Sequence, residues 1–156
     1  CRLPKEPPFA AKKGMLLLDG IQDPGNLGTI LRTADALDVP VGLLEGCADP
    51  YSQKVVRASM GAVFRTRVIT TTWEEARQRC TAAGIPIAVT ALDTQAVDIR
   101  QADVGTMAAV IGSEGQGVRR EILDAADKKL IIPMNSHCES LNAAVAAAIV
   151  MWQMKN

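Results

Sequence analysis

Apolar and polar positions along this chain alternate between two periods. Short apolar runs of the kind found in strands buried on both faces fall at Met15–Asp19, Val39–Leu44, Ile85–Ala91, Met107–Gly112 and Leu130–Pro133. Val63–Ile69 reads as a further strand with Arg65 and Arg67 on its polar face. Between these runs the period lengthens to that of a helix. Leu27, Ile30, Leu31, Ala34 and Leu37 predict a helix behind the turn Asp23-Pro24-Gly25-Asn26, with Asn26 as its N-cap. Ser52–Met60 predicts a second helix. Thr72-Trp73-Glu74-Glu75 matches a capping box for a third, running to about Gly84. Val118–Ala126 predicts a fourth, and the last begins near Ser140, its expected cap. Residues 93–105 read as a loop.

Strands that alternate with helices predict an α/β fold, a mainly parallel sheet with helices on both faces. Ligands of such sheets bind beyond the carboxyl ends of the strands. Three loops rich in Gly, Asn and Ser sit there: 20–28, 112–117 and 134–142. Residues 1–14 carry Pro4, Pro7, Pro8 and three lysines and read as an arm or linker, the candidate end of an RNA-binding extension. Residues 15–156 read as one domain.

Composition narrows the chemistry. A chain of 156 residues buries a core without disulfides or a structural metal. Its 17 basic and 17 acidic residues cancel, so a purely electrostatic nucleic-acid binder is disfavoured. Aromatics are only 3%, too few for a base-stacking platform. Cys1, Cys47, Cys80 and Cys138 form no CxxC pair and His137 is the one histidine, a spacing without a zinc site. The bland reading is reduced thiols in a cytoplasmic protein. No apolar run reaches the roughly 20 residues of a membrane span.

Each polar loop, taken alone, has an ordinary reading. Gly28, Arg32 and Asp35 share a helix face, so Arg32 reads as a solvated arginine paired with Asp35, with a phosphate contact as the alternative. Gly112-Ser-Glu-Gly-Gln-Gly117 is GxxGxG, the reverse of the dinucleotide fingerprint, and no acid stands in 130–133 to hold a ribose. Glu114 could merely complement the next helix's dipole. Ser140 could merely cap.

Together and in this order, Asn26-x-Gly28-x-x-x-Arg32, Gly112-Ser-Glu-Gly-x-Gly117 and Ile132-Pro-Met…Glu139-Ser-Leu-Asn142 resemble the SpoU/TrmH family of RNA ribose methyltransferases, in the SPOUT superfamily. The resemblance spans about residues 15–153; Cys138 and Ala143-Ala144 depart from its apolar pattern. It implies a C-terminal deep trefoil knot, which fold-level rules alone would disfavour. It implies an S-adenosylmethionine site formed by Thr90, Ala91, Leu92, Gly112, Ser113, Glu114, Gly117, Ile132, Met134, Ser140, Leu141 and Asn142, and no metal. The reaction implied is methyl transfer to a ribose 2′-hydroxyl of rRNA or tRNA. Arg32 would grip the substrate phosphate and stabilise the developing alkoxide, with Asn26, Glu114, Ser140 and Asn142 positioning the ribose or Arg32. The alternatives are a catalytically silent RNA-binding protein of the same fold and a phosphate-binding α/β enzyme. The latter would want a loop lysine that is absent.

Ala143 through Trp152 is ten consecutive apolar residues. A helix apolar all round is buried all round, so this one predicts a second copy of the chain as partner. The resemblance also implies a homodimer with composite sites. Ala147, Val150, Met151 and Met154 are the candidates for its outward face. Lys12, Lys13, Lys54, Arg57, Arg65 and Arg67 are candidate RNA contacts; His137 and Cys138 read as bystanders.

Overall fold

The computed structural model describes residues 10–156, so most of the expected arm, residues 1–9, lies outside the described residues. In the described part of that arm, Ala11 packs on the core and the Gly14 N–H donates to the Met107 carbonyl at 3.0 Å.

Seven parallel strands form one sheet: β1 (Met15–Asp19), β2 (Val41–Leu43), β3 (Val68–Thr70), β4 (Ile87–Thr90), β5 (Val97–Asp98), β6 (Ala108–Gly112) and β7 (Lys128–Ile131), in the order β3-β2-β1-β6-β4-β7-β5. The five helices are α1 (Pro24–Leu37), α2 (Gln53–Ala58), α3 (Trp73–Ala82), α4 (Arg120–Ala125) and α5 (Ala143–Gln153). Strand alternation divides the core in two. Leu16 and Leu18 face α1, α2 and α5 on one side of the sheet; Met15 and Leu17 face α3 and α4 on the other. Within the described residues the α/β expectation, helices on both faces included, matches the architecture.

The differences from the expected elements are local. The run Val63–Ile69 is not one strand. Ala62–Phe64 is a 3-10 turn after left-handed Gly61, and only Val68–Thr70 joins the sheet. Arg65 and Arg67 therefore lie in the connection and pair with Asp35 and Asp38. Residues 93–105 hold a short edge strand and two 3-10 turns. Two caps move. Asp23, not Asn26, caps α1, its Oδ2 accepting the Asn26 N–H at 2.8 Å. Asn142, not Ser140, caps α5, its Oδ1 accepting from the amides of Ala144 and Val145. In both cases a side chain expected to cap, or one three residues before it, competes for the same orphan amides. The Thr72 cap forms as expected, accepting the Glu75 N–H at 3.2 Å.

In α5 the buried residues are Ala143, Ala144, Ala147, Val150 and Met151, and Met154 just beyond it is buried too. None of the four candidates for the outward face points outward. That face carries Val145 (49% exposed) and Trp152 (61%), with Ala148 and Ile149 partly exposed between them, an i, i+3, i+4, i+7 stripe.

Candidate active site

The register sets the site. Asp19, the last residue of β1, lies opposite Gly112, the last of β6, so the first and second polar loops leave the sheet side by side. The third arrives from β7, two strands away.

Glu114 is where they meet. Its Oε1 accepts from Asn26 Nδ2 at 2.6 Å, Asn142 Nδ2 at 2.9 Å and the Ala143 N–H at 3.3 Å. Asn142 Nδ2 also donates to Asn26 Oδ1 at 3.0 Å. Three residues separated by 88 and 28 positions thus close one polar triangle. Asn142 does double service, since its Oδ1 caps α5 while its Nδ2 holds Glu114. Glu114 Oε2 has no hydrogen bond to any described residue and remains free to accept one.

Beside this triangle lies a cavity of about 590 Å³. Its walls include Thr90, Ala91 and Leu92 after β4, Gly112, Ser113, Glu114 and Gly117 after β6, and Ile132, Met134, Ser140 and Leu141 after β7. Eleven of the twelve residues expected to surround a cofactor line this one space. The twelfth, Asn142, acts on it through Glu114 and the cap of α5. At its rim Lys129 pairs with Asp93 at 2.6 Å. A hydrogen bond from the Gln95 amide, then the Lys129 ammonium, hold the Asp93 carboxyl below its ordinary range.

Two glycines serve packing rather than ligand access. A Cβ on Gly112 would collide with the backbone of Gly117 and Val118, because the loop folds back on itself through the Ser113–Gly117 bridge. A Cβ on Gly28 would strike Ala58 and come within 2.8 Å of the Ser59 amide, where α1 and α2 cross closely. Gly115 meets nothing within 4 Å, and Gly117 holds φ +68, the left-handed value that lets the turn close.

Arg32 is not brought to the triangle. It is exposed, lines neither side of the glycine loop, and makes no hydrogen bond or ion pair with another described residue. The pairing with Asp35 does not form, because Asp35 is taken by Arg65 at 2.8 Å. Among the basic candidates Arg65 and Arg67 are neutralised, while Lys54 and Arg57 have no ion pair among the described residues.

One group escaped the sequence reading. Asp19 is 2% exposed and accepts both the Arg119 N–H at 2.8 Å and Arg119 Nε at 2.7 Å. The same guanidinium reaches Glu45 at 2.9 Å and Glu121 at 3.0 Å. Arg119 thereby ties the exit of the glycine loop to the ends of β1 and β2. Partial burial alone would raise the Glu45 carboxyl. Hydrogen bonds from its own amide, Arg119 and the Trp73 amide, with the Arg119 charge, bring it below its ordinary range. The visible hint was an Asp closing an otherwise apolar strand; nothing local marks its partner 100 residues on. Among the described residues no group of three or more His, Cys, Asp or Glu is arranged to hold a metal ion, and no helix is long and apolar enough to cross a membrane.

The arrangement has relatives. The 23S rRNA (guanosine(2553)-2′-O)-methyltransferase RlmP of Bacillus subtilis is 37% identical over 99% of this chain and 62% of its own length. The AdoMet-bound rRNA methyltransferase of Sinorhizobium meliloti superposes with a TM-score of 0.85 at 34% identity, covering 94% of this chain and 58% of that one. The SpoU methyltransferase AviRb of Streptomyces viridochromogenes, in complex with AdoMet, superposes with a TM-score of 0.80 at 29% identity over 97% of this chain and 64% of its own. The chain thus spans about three-fifths of the length of these relatives. The model of the SpoU rRNA methylase family matches residues 13–152; with the three loops converging on Glu114 as described, the chain belongs to that family.

Proposed function

We propose that this chain is the catalytic part of an S-adenosylmethionine-dependent RNA methyltransferase that methylates a ribose 2′-hydroxyl. The observation that carries the reading is Glu114, held by Asn26 and Asn142 on the wall of the 590 Å³ cavity with one carboxylate oxygen left free. The cavity suits a bent, part-apolar cofactor. Leu92, Ile132, Met134 and Leu141 offer apolar surface, while Ser113 and the strand-end backbone offer polar contacts. The AdoMet carried by two structures of this fold supports the same choice.

S-adenosylmethionine supplies a methyl group already activated by its sulfonium. The protein's task is alignment. Glu114 Oε2 accepts a hydrogen bond from the 2′-hydroxyl and points its oxygen at the methyl carbon. Asn26 and Asn142 keep Glu114 from rotating away. As the O–C bond forms and the S–C bond breaks, the hydroxyl proton leaves to water or to an RNA phosphate. Arg32 serves the site of a partner copy, gripping the phosphate next to the acceptor. Its exposure, its lack of any partner and its place on α1, which packs on α5, support that role. The stripe Val145, Ala148, Ile149 and Trp152 supports a homodimer through α5.

The substrate of this reading is ribosomal or transfer RNA in the cytoplasm, with rRNA favoured by the activity named for the Bacillus subtilis relative. The deep trefoil knot around the cofactor loops belongs to it too. Calorimetric titration with S-adenosylmethionine and with ATP is the test. Binding of the first alone, with methyl transfer to unmodified 23S rRNA transcripts, is expected. Cofactor binding without transfer to any rRNA or tRNA would favour a silent RNA-binding protein, and binding of ATP alone would overturn the reading.

A further inference from the structure

We propose that a second cavity, on the other side of the glycine loop, receives the acceptor nucleoside and selects guanosine by the N–H edge of its base. The proposal rests on the methyltransferase reading above.

This cavity measures about 520 Å³ and shares Ser113, Glu114, Gln116 and Gly117 with the cofactor cavity. Gly20, Asp23, Asn26, Glu45, Gly46 and Gly115 belong to the second alone. Its place in the fold is independent evidence. From β1 the chain passes through α1 on one face to β2 at one side. From the adjacent β6 it passes through α4 on the other face to β7 at the opposite side. The crevice between β1 and β6 is therefore a topological switch point, where open α/β sheets bind ligands. Asp19 and Gly112 mark its floor. Methyl transfer also needs two compartments meeting at one wall, because the oxygen attacks the methyl carbon from the side opposite the leaving sulfur.

The charges decide what enters. Asp19, Asp23, Glu45 and Glu114 face a single cation, Arg119, which is already engaged by Asp19, Glu45 and Glu121. Phosphate is repelled, so the base and ribose enter while the RNA backbone stays outside. A pocket rich in acceptors favours the base with the most adjacent donors. Guanine offers N1–H and the N2 amino group side by side, a geometric match for a carboxylate. Adenine and cytosine offer one amino group, and uracil one imino group. Glu45 is occupied by the Trp73 amide and Arg119. Asp23 uses Oδ2 to cap α1 and has no described partner at Oδ1, so Asp23 is the base-reading carboxylate.

Two variants test this. Gly115 has open space around its Cβ and lines only the second cavity, so Gly115→Leu fills that cavity and leaves the first intact. Asp23→Asn keeps a helix cap of equal quality and removes the carboxylate. The readouts are calorimetry with S-adenosylmethionine and amide shifts of S-adenosylhomocysteine-loaded protein on adding guanosine, inosine or adenosine. In the parent, guanosine is expected to shift the Gly20, Gly46 and Gly115 amides, more strongly than inosine, which lacks the N2 amino group, or adenosine. Gly115→Leu should bind S-adenosylmethionine like the parent, lose the guanosine response, and raise the KM for rRNA roughly tenfold or more. Asp23→Asn should respond equally to the three nucleosides. A guanosine response that survives Gly115→Leu, or is absent in a cofactor-binding parent, overturns the pocket. Retained guanosine preference in Asp23→Asn overturns the base reading. A parent that fails to bind S-adenosylmethionine overturns the methyltransferase reading instead.

Discussion

The glycine loop and the outer face of α1 and α5 stand in contrast. Around the loop every strong polar group has a partner from the same chain. Glu114 accepts three donors, Asp19 two from Arg119, and no buried side-chain nitrogen or oxygen among the described residues is left unsatisfied. On the outer face Arg32 has no partner, while Val145 and Trp152 are about half exposed or more. Both regions are dominated by small residues, and both carry residues of the family motifs. The difference is closure. One region is completed by contacts within the chain, and the other is complete only against something else. Substitutions in the first should therefore be felt in folding and cofactor binding, and in the second in assembly and transfer.

The sharpest break is Arg119→Ala. It strands the buried Asp19 carboxylate, and removing one partner of a buried pair costs about 3–5 kcal/mol. Denaturant unfolding should show that loss, and pairing the change with Asp19→Asn should recover a good part of it. An Arg119→Ala protein as stable as the parent would mean the loop is not anchored there.

Next is the pair Gly112→Ala and Gly115→Ala. The first forces a methyl into the backbone of 117–118, with overpacking of about 1–3 kcal/mol and a strong fall in S-adenosylmethionine affinity; the second meets nothing. Equal calorimetric affinities in the two variants would erase the distinction between a packing glycine and an open one.

Trp152→Glu tests the outer face. Light scattering at tens of micromolar should show a dimer for the parent and a folded monomer for the variant, with weakened methyl transfer. A parent that is monomeric would leave the exposed stripe without its proposed role.

A smaller effect concerns pH. Glu45 titrates below its ordinary value of 4.5 in the folded chain. Its contribution to stability is thus complete above about that pH and is lost as the pH falls through the lower folded value. Glu45→Gln should flatten the acid side of the unfolding profile between these limits, without moving the neutral plateau by more than a surface substitution does.

The smallest is Arg32→Ala. With no intrachain partner, its effect on stability should stay within about 0.5 kcal/mol, while transfer falls by orders of magnitude and cofactor affinity holds. Loss of folding would assign Arg32 to the scaffold.

The apolar periods along the chain determined the sheet, its parallel character and the two helical layers, because burial on both faces of a strand leaves a continuous apolar run that needs no knowledge of its neighbours. Local order also carried the three polar loops and most of the cofactor wall, since strand ends place loops at one edge of any such sheet. What the chain pattern could not decide was competition between equals. Asp23 and Asn26 both suit a cap, as do Ser140 and Asn142, and the choice went to whichever side chain was not needed elsewhere. Asn26 was drawn to Glu114. Asn142 could cap with its oxygen and hold Glu114 with its nitrogen at once. Only the fold brought Arg119 to Asp19, gave Asp35 to Arg65 rather than Arg32, and turned Val145 and Trp152 outward in a helix whose ten apolar residues have no polar side. Each of these outcomes depends on groups far apart in sequence. A side chain's partner is set by which strand ends are neighbours, which the register of β1 and β6 decides and no local run of residues records.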